Sequence, residues 1–285
     1  MPSSFSRKLE LAFESRGQLC VGIDPHEELL LENGFPDTAE GLRGYSLAML
    51  DELSDLVGIV KPQVSFFERF GAEGFAVLQE LLSDASKRGF LVIADAKRGD
   101  IGTTMQAYSD AWIGKNAPFI CDALTVNPYL GVKALLPAVA AASERGKGLF
   151  VLAATSNPEA AKLQQSSNQV GTVASLVAGE VAEMNRFSAQ TASRFGNVGL
   201  VIGATINPSQ FGIDLEQVSD TLQTPILAPG FGAQGAKLEE ARSIFGKSAG
   251  RVIYSISRSA LRDGMSSLKA NVRSDVISLA KALAE

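Results

Sequence analysis

Eight times along this chain a short apolar run ends in a polar, Gly or Pro residue and gives way to a stretch whose apolar residues fall three and four apart. The runs occupy 18–24, 58–64, 90–97, 123–128, 148–155, 199–205, 225–231 and 251–257. Runs of that length bounded by turn formers read as buried strands, and the stretches between them carry the period of amphipathic helices. The clearest helical stretches are 38–56, 73–89, 132–146 and 173–196, with glycine soon after several of their ends. Eight such repeats in 285 residues predict an α/β fold, a (β/α)8 barrel forming one domain over 1–285. An open doubly wound sheet usually has fewer strands and often a second domain.

Composition narrows the function classes. The chain is 46% hydrophobic and 20% charged, enough apolar material for a sizeable core. Its formal net charge of −5 gives no basic field for nucleic acid or an anionic membrane surface, so an anionic substrate has to be held by a local site. No stretch approaches 18 uninterrupted apolar residues and the first residues lack a long apolar segment, so a cytoplasmic protein without membrane association is expected. Cys20 and Cys121 are far apart and flanked by apolar residues, which excludes a disulfide framework or a zinc pattern and predicts two core thiols. The polar stretch 157–172 is too long for a tight turn and reads as a candidate lid.

In such a barrel the chemistry collects at the carboxyl ends of the strands. The first run ends in Asp24, the second carries Lys61, and the third ends in Asp95 and Lys97 with Asp100 close behind. Charges crowded at the end of a buried strand are costly to desolvate and need a structural or a chemical reason. Residues two apart in a strand share a face, so Asp95 and Lys97 are placed to touch. Acidic neighbours favour the ammonium form of a lysine, whereas a Schiff-base lysine needs burial or cationic neighbours, so Lys97 reads as a standing proton donor. Two plainer readings stay open. One is a rim ion pair; the other is a magnesium site on the carboxylates, although no further acidic or His cluster completes a coordination shell.

A second constellation closes the chain's last two strands. Gly230, Gly232 and Gly235 leave backbone N–H groups uncovered for an anion, and Arg258 ends the next strand, which together predict a phosphorylated ligand. A plain glycine turn is the alternative. Asn127 and Ser156 end the fourth and fifth runs, where they could read a polar ring edge or serve as caps and turn formers. The single histidine, His26, reads as a surface-loop residue, which leaves Ser-His-Asp chemistry poorly supported.

DAKRGD (Asp95 to Asp100) matches the DxKxxD motif of orotidine 5′-phosphate decarboxylases, and VGIDP, VKPQVSFFE, TSNP, APGFGAQG and SISRSAL stand in that family's order. The chain resembles this family from about Asp24 to Arg258, and within it the subgroup of mycobacteria and other bacteria with the KPQ and AKRGDIG wording. DxKxxD alone is shared with a wider superfamily of phosphosugar enzymes. The resemblance implies decarboxylation of orotidine 5′-phosphate to uridine 5′-phosphate without cofactor or metal. It implies that Lys97 protonates C6 of the pyrimidine, that Asp95 is set against the substrate carboxylate, and that Asp100 comes from a partner subunit together with Ile101 and Thr104. With Lys61 these residues make an Asp-Lys-Asp array, and the protein is then a homodimer with shared sites. Asp24 and Lys61 match ribose contacts, Ser156 the residue reading the pyrimidine, and Gln234 and Arg258 the phosphate grip. The expected substrate-binding set also takes in Asn127, Pro229, Gly230, Gly235 and Ser257 at the strand ends. The alternatives are a magnesium-dependent phosphosugar decarboxylase, a class I aldolase using Lys97, and a non-catalytic nucleotide-binding barrel.

Overall fold

A computed structural model describes residues 4–187, 193–215 and 223–285. Eight parallel strands close into a barrel in chain order, the last pairing with the first. They are β1 (Leu19–Ile23), β2 (Ile59–Pro62), β3 (Leu91–Arg98), β4 (Ala123–Val126), β5 (Gly148–Ala154), β6 (Val198–Ile202), β7 (Ile226–Pro229) and β8 (Val252–Ile256). Each falls within or against one of the eight predicted runs.

The longer helices are α1 (Phe5–Arg16), α2 (Ala39–Leu53), α3 (Gly71–Lys87), α4 (Gly102–Trp112), α5 (Leu136–Arg145), α6 (Val173–Phe187) and α7 (Leu268–Ala284). The four predicted helical stretches correspond to α2, α3, α5 and α6. The predicted continuation of the last one, towards residue 196, runs into 188–192, outside the described residues.

Strand alternation divides the core in two. Val21, Val60, Val92, Leu124, Val151 and Ile226 belong to the large cluster between barrel and helices, while Cys20, Ile59, Ile93, Phe150, Leu227 and Ile253 pack into a cluster of their own. The second set is the barrel interior, filled by side chains rather than open. Phe5, Leu9, Ala12 and Phe13 of α1 join that inner cluster, so α1 closes the amino-terminal end of the barrel. Phe5 meets Phe150 edge to face at 5.8 Å. A Cβ on Gly148 would stand 2.5 Å from the Phe5 ring and one on Gly199 2.5 Å from Phe150, so both positions require glycine for space. Lys8 of α1 fastens the plug with a 2.6 Å ion pair to buried Asp122, whose other oxygen accepts from the Val92 N–H at 3.0 Å.

Both cysteines are free and buried, and burial pushes each thiol up to about 12. His26 departs from the surface-loop expectation. It is half-buried and caps the helix Glu27–Glu32, its Nδ1 accepting from the Leu29 N–H. The stretch proposed as a lid carries a 3-10 turn (Pro158–Ala160) and a short helix (Ala161–Gln164).

Candidate active site

The inward-facing set changes character one layer above the apolar interior. Two residues beyond Ile59 stands Lys61, beyond Ile93 stands Asp95, beyond Ala123 stands Thr125, and beyond Ile253 stands Ser255. All four are buried, and all four line a cavity of about 830 Å³ at the carboxyl ends of the strands. Polar groups at that depth need partners, and here they partner one another.

Asp95 is the centre of the network. Its Oδ2 accepts from Lys61 Nζ at 3.0 Å, and its Oδ1 accepts from Lys97 Nζ at 2.6 Å and from Thr125 Oγ1 at 2.9 Å. Burial by itself raises a carboxyl, but the ammonium groups of Lys61 and Lys97 more than reverse this and hold Asp95 down at about 2. Burial likewise works against the charge on Lys61, yet the Asp95 and Asp24 carboxylates raise its affinity for the proton above that of an ordinary lysine. The Lys97 side chain, 44% exposed, reaches into the cavity and also meets Gln63 Oε1 at 3.3 Å.

Lys97 and Asp95 do touch, but not through a regular strand. The β3–β4 register runs from Ala94↔Leu124 to Arg98↔Val126, so four steps on β3 oppose two on β4. This bulge re-aims the strand end. Within it Lys97 has φ +50°, the one positive value at a non-glycine position among the described residues. A backbone of that kind costs on the order of 1–3 kcal/mol and persists only where its surroundings hold it. Gly99 packs directly on the residue that follows β4; a Cβ there would lie 2.3 Å from the Asn127 carbonyl oxygen. Arg98 is anchored by an ion pair to Glu68 and stacks over Tyr108 at 5.7 Å.

Around this array the cavity wall collects most of the predicted positions: Asp24, Asn127, Ser156, Pro229, Gly230, Gln234, Ser257 and Arg258 line it. Asp24 Oδ2 accepts from Ser257 Oγ at 2.6 Å, while buried Asp24 Oδ1 has no protein partner, an acceptor at the cavity. Ser156 Oγ donates to Gln234 Oε1 at 2.7 Å, joining the loops after β5 and β7 across the mouth. Asn127 Oδ1 accepts from the Tyr129 N–H at 3.0 Å, the turn-forming role. Leu163, Val173 and Val177 make one side of the cavity apolar.

Four predicted positions lie apart from the cavity. Asp100, Ile101, Thr104 and Gly235 do not line it; Ile101 is 60% exposed, and Asp100 Oδ1 accepts from the Ile101 N–H at 2.7 Å. Two residues of the network went unread in the sequence, Gln63 and Thr125. Strand period could have found both, since Gln63 follows Lys61 by two and Thr125 precedes Asn127 by two. Among the described residues no group of three or more His, Cys, Asp and Glu is placed to hold a metal ion.

Residues 17–262 match the family model described as "Orotidine 5'-phosphate decarboxylase / HUMPS family". An orotidine 5'-phosphate decarboxylase of Corynebacterium glutamicum is 44% identical over 264 residues, covering 92% of this chain and 91% of the relative. One from Salinispora arenicola is 45% identical over 262 residues, with the same coverage. The crystal structure of a protein assigned that activity in Streptomyces avermitilis superposes with a TM-score of 0.89 at 40% identity, covering 99% of this chain and 97% of that one. Leishmania donovani OMP decarboxylase gives a TM-score of 0.74 at 28% identity over 99% of this chain and 98% of that one.

Proposed function

The chain belongs to the orotidine 5'-phosphate decarboxylase / HUMPS family, and from that membership we propose how its cavity works. The protein is a carboxy-lyase that converts orotidine 5′-phosphate to uridine 5′-phosphate and carbon dioxide in pyrimidine biosynthesis. The observation that carries the residue assignment is the buried Asp95 carboxylate held between two ammonium groups at the floor of the cavity.

In this reading the bond from C6 to the carboxylate breaks, its electron pair remains on C6, and the Lys97 ammonium gives C6 its proton. The neutral amine then recovers a proton from water. A fixed positive charge beside C6 stabilises the carbanion as it forms, and the same group quenches it, so one residue supplies both electrostatic and acid catalysis. Asp95 faces the substrate carboxylate and holds Lys97 in place, and Lys61 keeps Asp95 ionised. The free Asp24 Oδ1 and Lys61 take ribose hydroxyls, Ser156 and Asn127 the pyrimidine edge, and Gln234 and Arg258 the phosphate, beside Pro229, Gly230 and Ser257. Phosphate binding, remote from C6, supplies energy that closes the loops after β5 and β7 over the base. No step calls on a metal or other cofactor.

Asp100, Ile101 and Thr104 serve the cavity of a second subunit, which makes the protein a homodimer with shared sites. Their position outside this chain's own cavity, with Ile101 exposed, supports that reading. We take 1–285 as one catalytic unit working in the cytoplasm; among the described residues no helix is long and apolar enough to cross a membrane. The deciding experiment follows the ultraviolet absorbance of orotidine 5′-phosphate mixed with the purified protein in excess chelator. Rapid conversion to uridine 5′-phosphate is expected. Conversion only after magnesium is restored would instead indicate a metal-dependent phosphosugar enzyme, and binding without conversion a nucleotide-binding barrel.

A further inference from the structure

Resting on the decarboxylase reading, we infer that Thr125 is a positioning residue whose hydroxyl holds both the Lys97 backbone and the Asp95 carboxylate, keeping the proton donor aimed at C6. The bulge creates the need. Between Ala94↔Leu124 and Arg98↔Val126 the ladder is interrupted, and the Lys97 N–H donates to a side chain, Thr125 Oγ1, at 2.9 Å. A hydroxyl has one hydrogen to give. Because Thr125 accepts from Lys97 N–H, its own hydrogen goes to Asp95 Oδ1 at 2.9 Å, and Asp95 Oδ1 in turn accepts from Lys97 Nζ at 2.6 Å. The three groups close a ring in which Lys97 is held at both ends, by its amide and by its ammonium.

The ring restrains a conformation that L residues avoid. Lys97 sits at φ +50°, and without a partner for its amide nothing local favours that value over extended backbone. Relaxation to extended backbone would carry Nζ away from Asp95. Thr125 itself is 1% exposed at the cavity floor, so its loss leaves the groups assigned to phosphate and ribose, Arg258, Gln234 and Asp24, in place. The effect therefore belongs to turnover and not to binding.

The test compares the full-length wild type with Thr125→Val, which keeps the shape and removes the hydroxyl, and Thr125→Ser, which keeps the hydroxyl. For the valine chain kcat should fall about 30- to 100-fold, with KM for orotidine 5′-phosphate and the Kd of uridine 5′-phosphate within about threefold of wild type. The serine chain should recover most of that loss. In spectra of 15N-lysine protein the Lys97 Nζ signal should be displaced by valine and returned by serine. Wild-type kcat in the valine chain, an equal rise in KM, or serine as impaired as valine would overturn the inference. If the valine chain does not fold, Thr125→Ala takes its place with the same expectations. A folded wild-type chain without turnover would sink the decarboxylase reading instead, and the Lys97 signal alone would then decide the role of Thr125.

Discussion

Lys97 and Asp95 perform opposite tasks with one ion pair. Lys97 is partly exposed and free to meet a ligand, whereas Asp95 is buried and stays ionised because two ammonium groups outweigh its desolvation. Lys97→Ala should keep the Kd for uridine 5′-phosphate within about tenfold, measured by calorimetry, while lowering kcat by about 10⁴ or more, since on the proposed assignment it removes both the acid and the charge. Turnover near wild type would end the assignment. The depressed Asp95 carboxyl also sets a pH window for stability. A group whose proton affinity is lowered on folding stabilises the protein above its unfolded value and loses that contribution as the pH falls through the folded one. For Asp95 the window runs from an ordinary carboxylate's value of about 4 down to about 2. Denaturant unfolding should therefore show a stability gap between wild type and Asp95→Asn that is level from neutral pH to about 5 and closes across that window. The charges at the ends of the first three strands were legible because buried charges demand a reason. Thr125 and Gln63 share the strand period of that set but carry no charge to single them out, and only the fold shows the bulge that turns the Lys97 N–H to the Thr125 hydroxyl.

Each strand was legible as an apolar run because a parallel barrel buries both strand faces. The role of α1 was not. Phe5, Leu9, Ala12 and Phe13 show the spacing of any amphipathic helix, and nothing in that spacing says that the face lies against the end of a barrel instead of its side. The partners of the plug are equally silent in sequence: Gly148 and Gly199 read as ordinary strand glycines until the rings of Phe5 and Phe150 are seen to occupy their missing Cβ positions. Fully buried Phe5 anchors this packing. Phe5→Ala should cost about 3–5 kcal/mol in urea unfolding, because the cavity it leaves is walled by strands that cannot collapse into it. The catalytic end lies a full layer of side chains away, so KM in the folded fraction should hold. A cost below about 1 kcal/mol would mean that α1 lies against the barrel without closing it.

The whole molecule as proposed is larger than one chain. The cavity holds Lys61, Asp95 and Lys97, but Asp100, third member of the motif that spells the array, stands outside it with Ile101 and Thr104 at the start of α4. In the proposed dimer the second half of the motif, which does not line this chain's cavity, is received by a two-fold related copy that returns its own. The arrangement makes a prediction that no single-chain site would satisfy. Lys97→Ala and Asp100→Asn chains should each be nearly inactive as homodimers, yet in a mixed dimer one of the two cavities receives both native residues. After subunit exchange of equal amounts, half the dimers are mixed and half of their sites are whole, so the mixture should recover about a quarter of wild-type activity. Recovery that rises with the time allowed for exchange would place Asp100 in the partner's site. A mixture no more active than its components, with exchange confirmed by tagged chains, would confine the chemistry to the Lys61, Asp95 and Lys97 of one subunit.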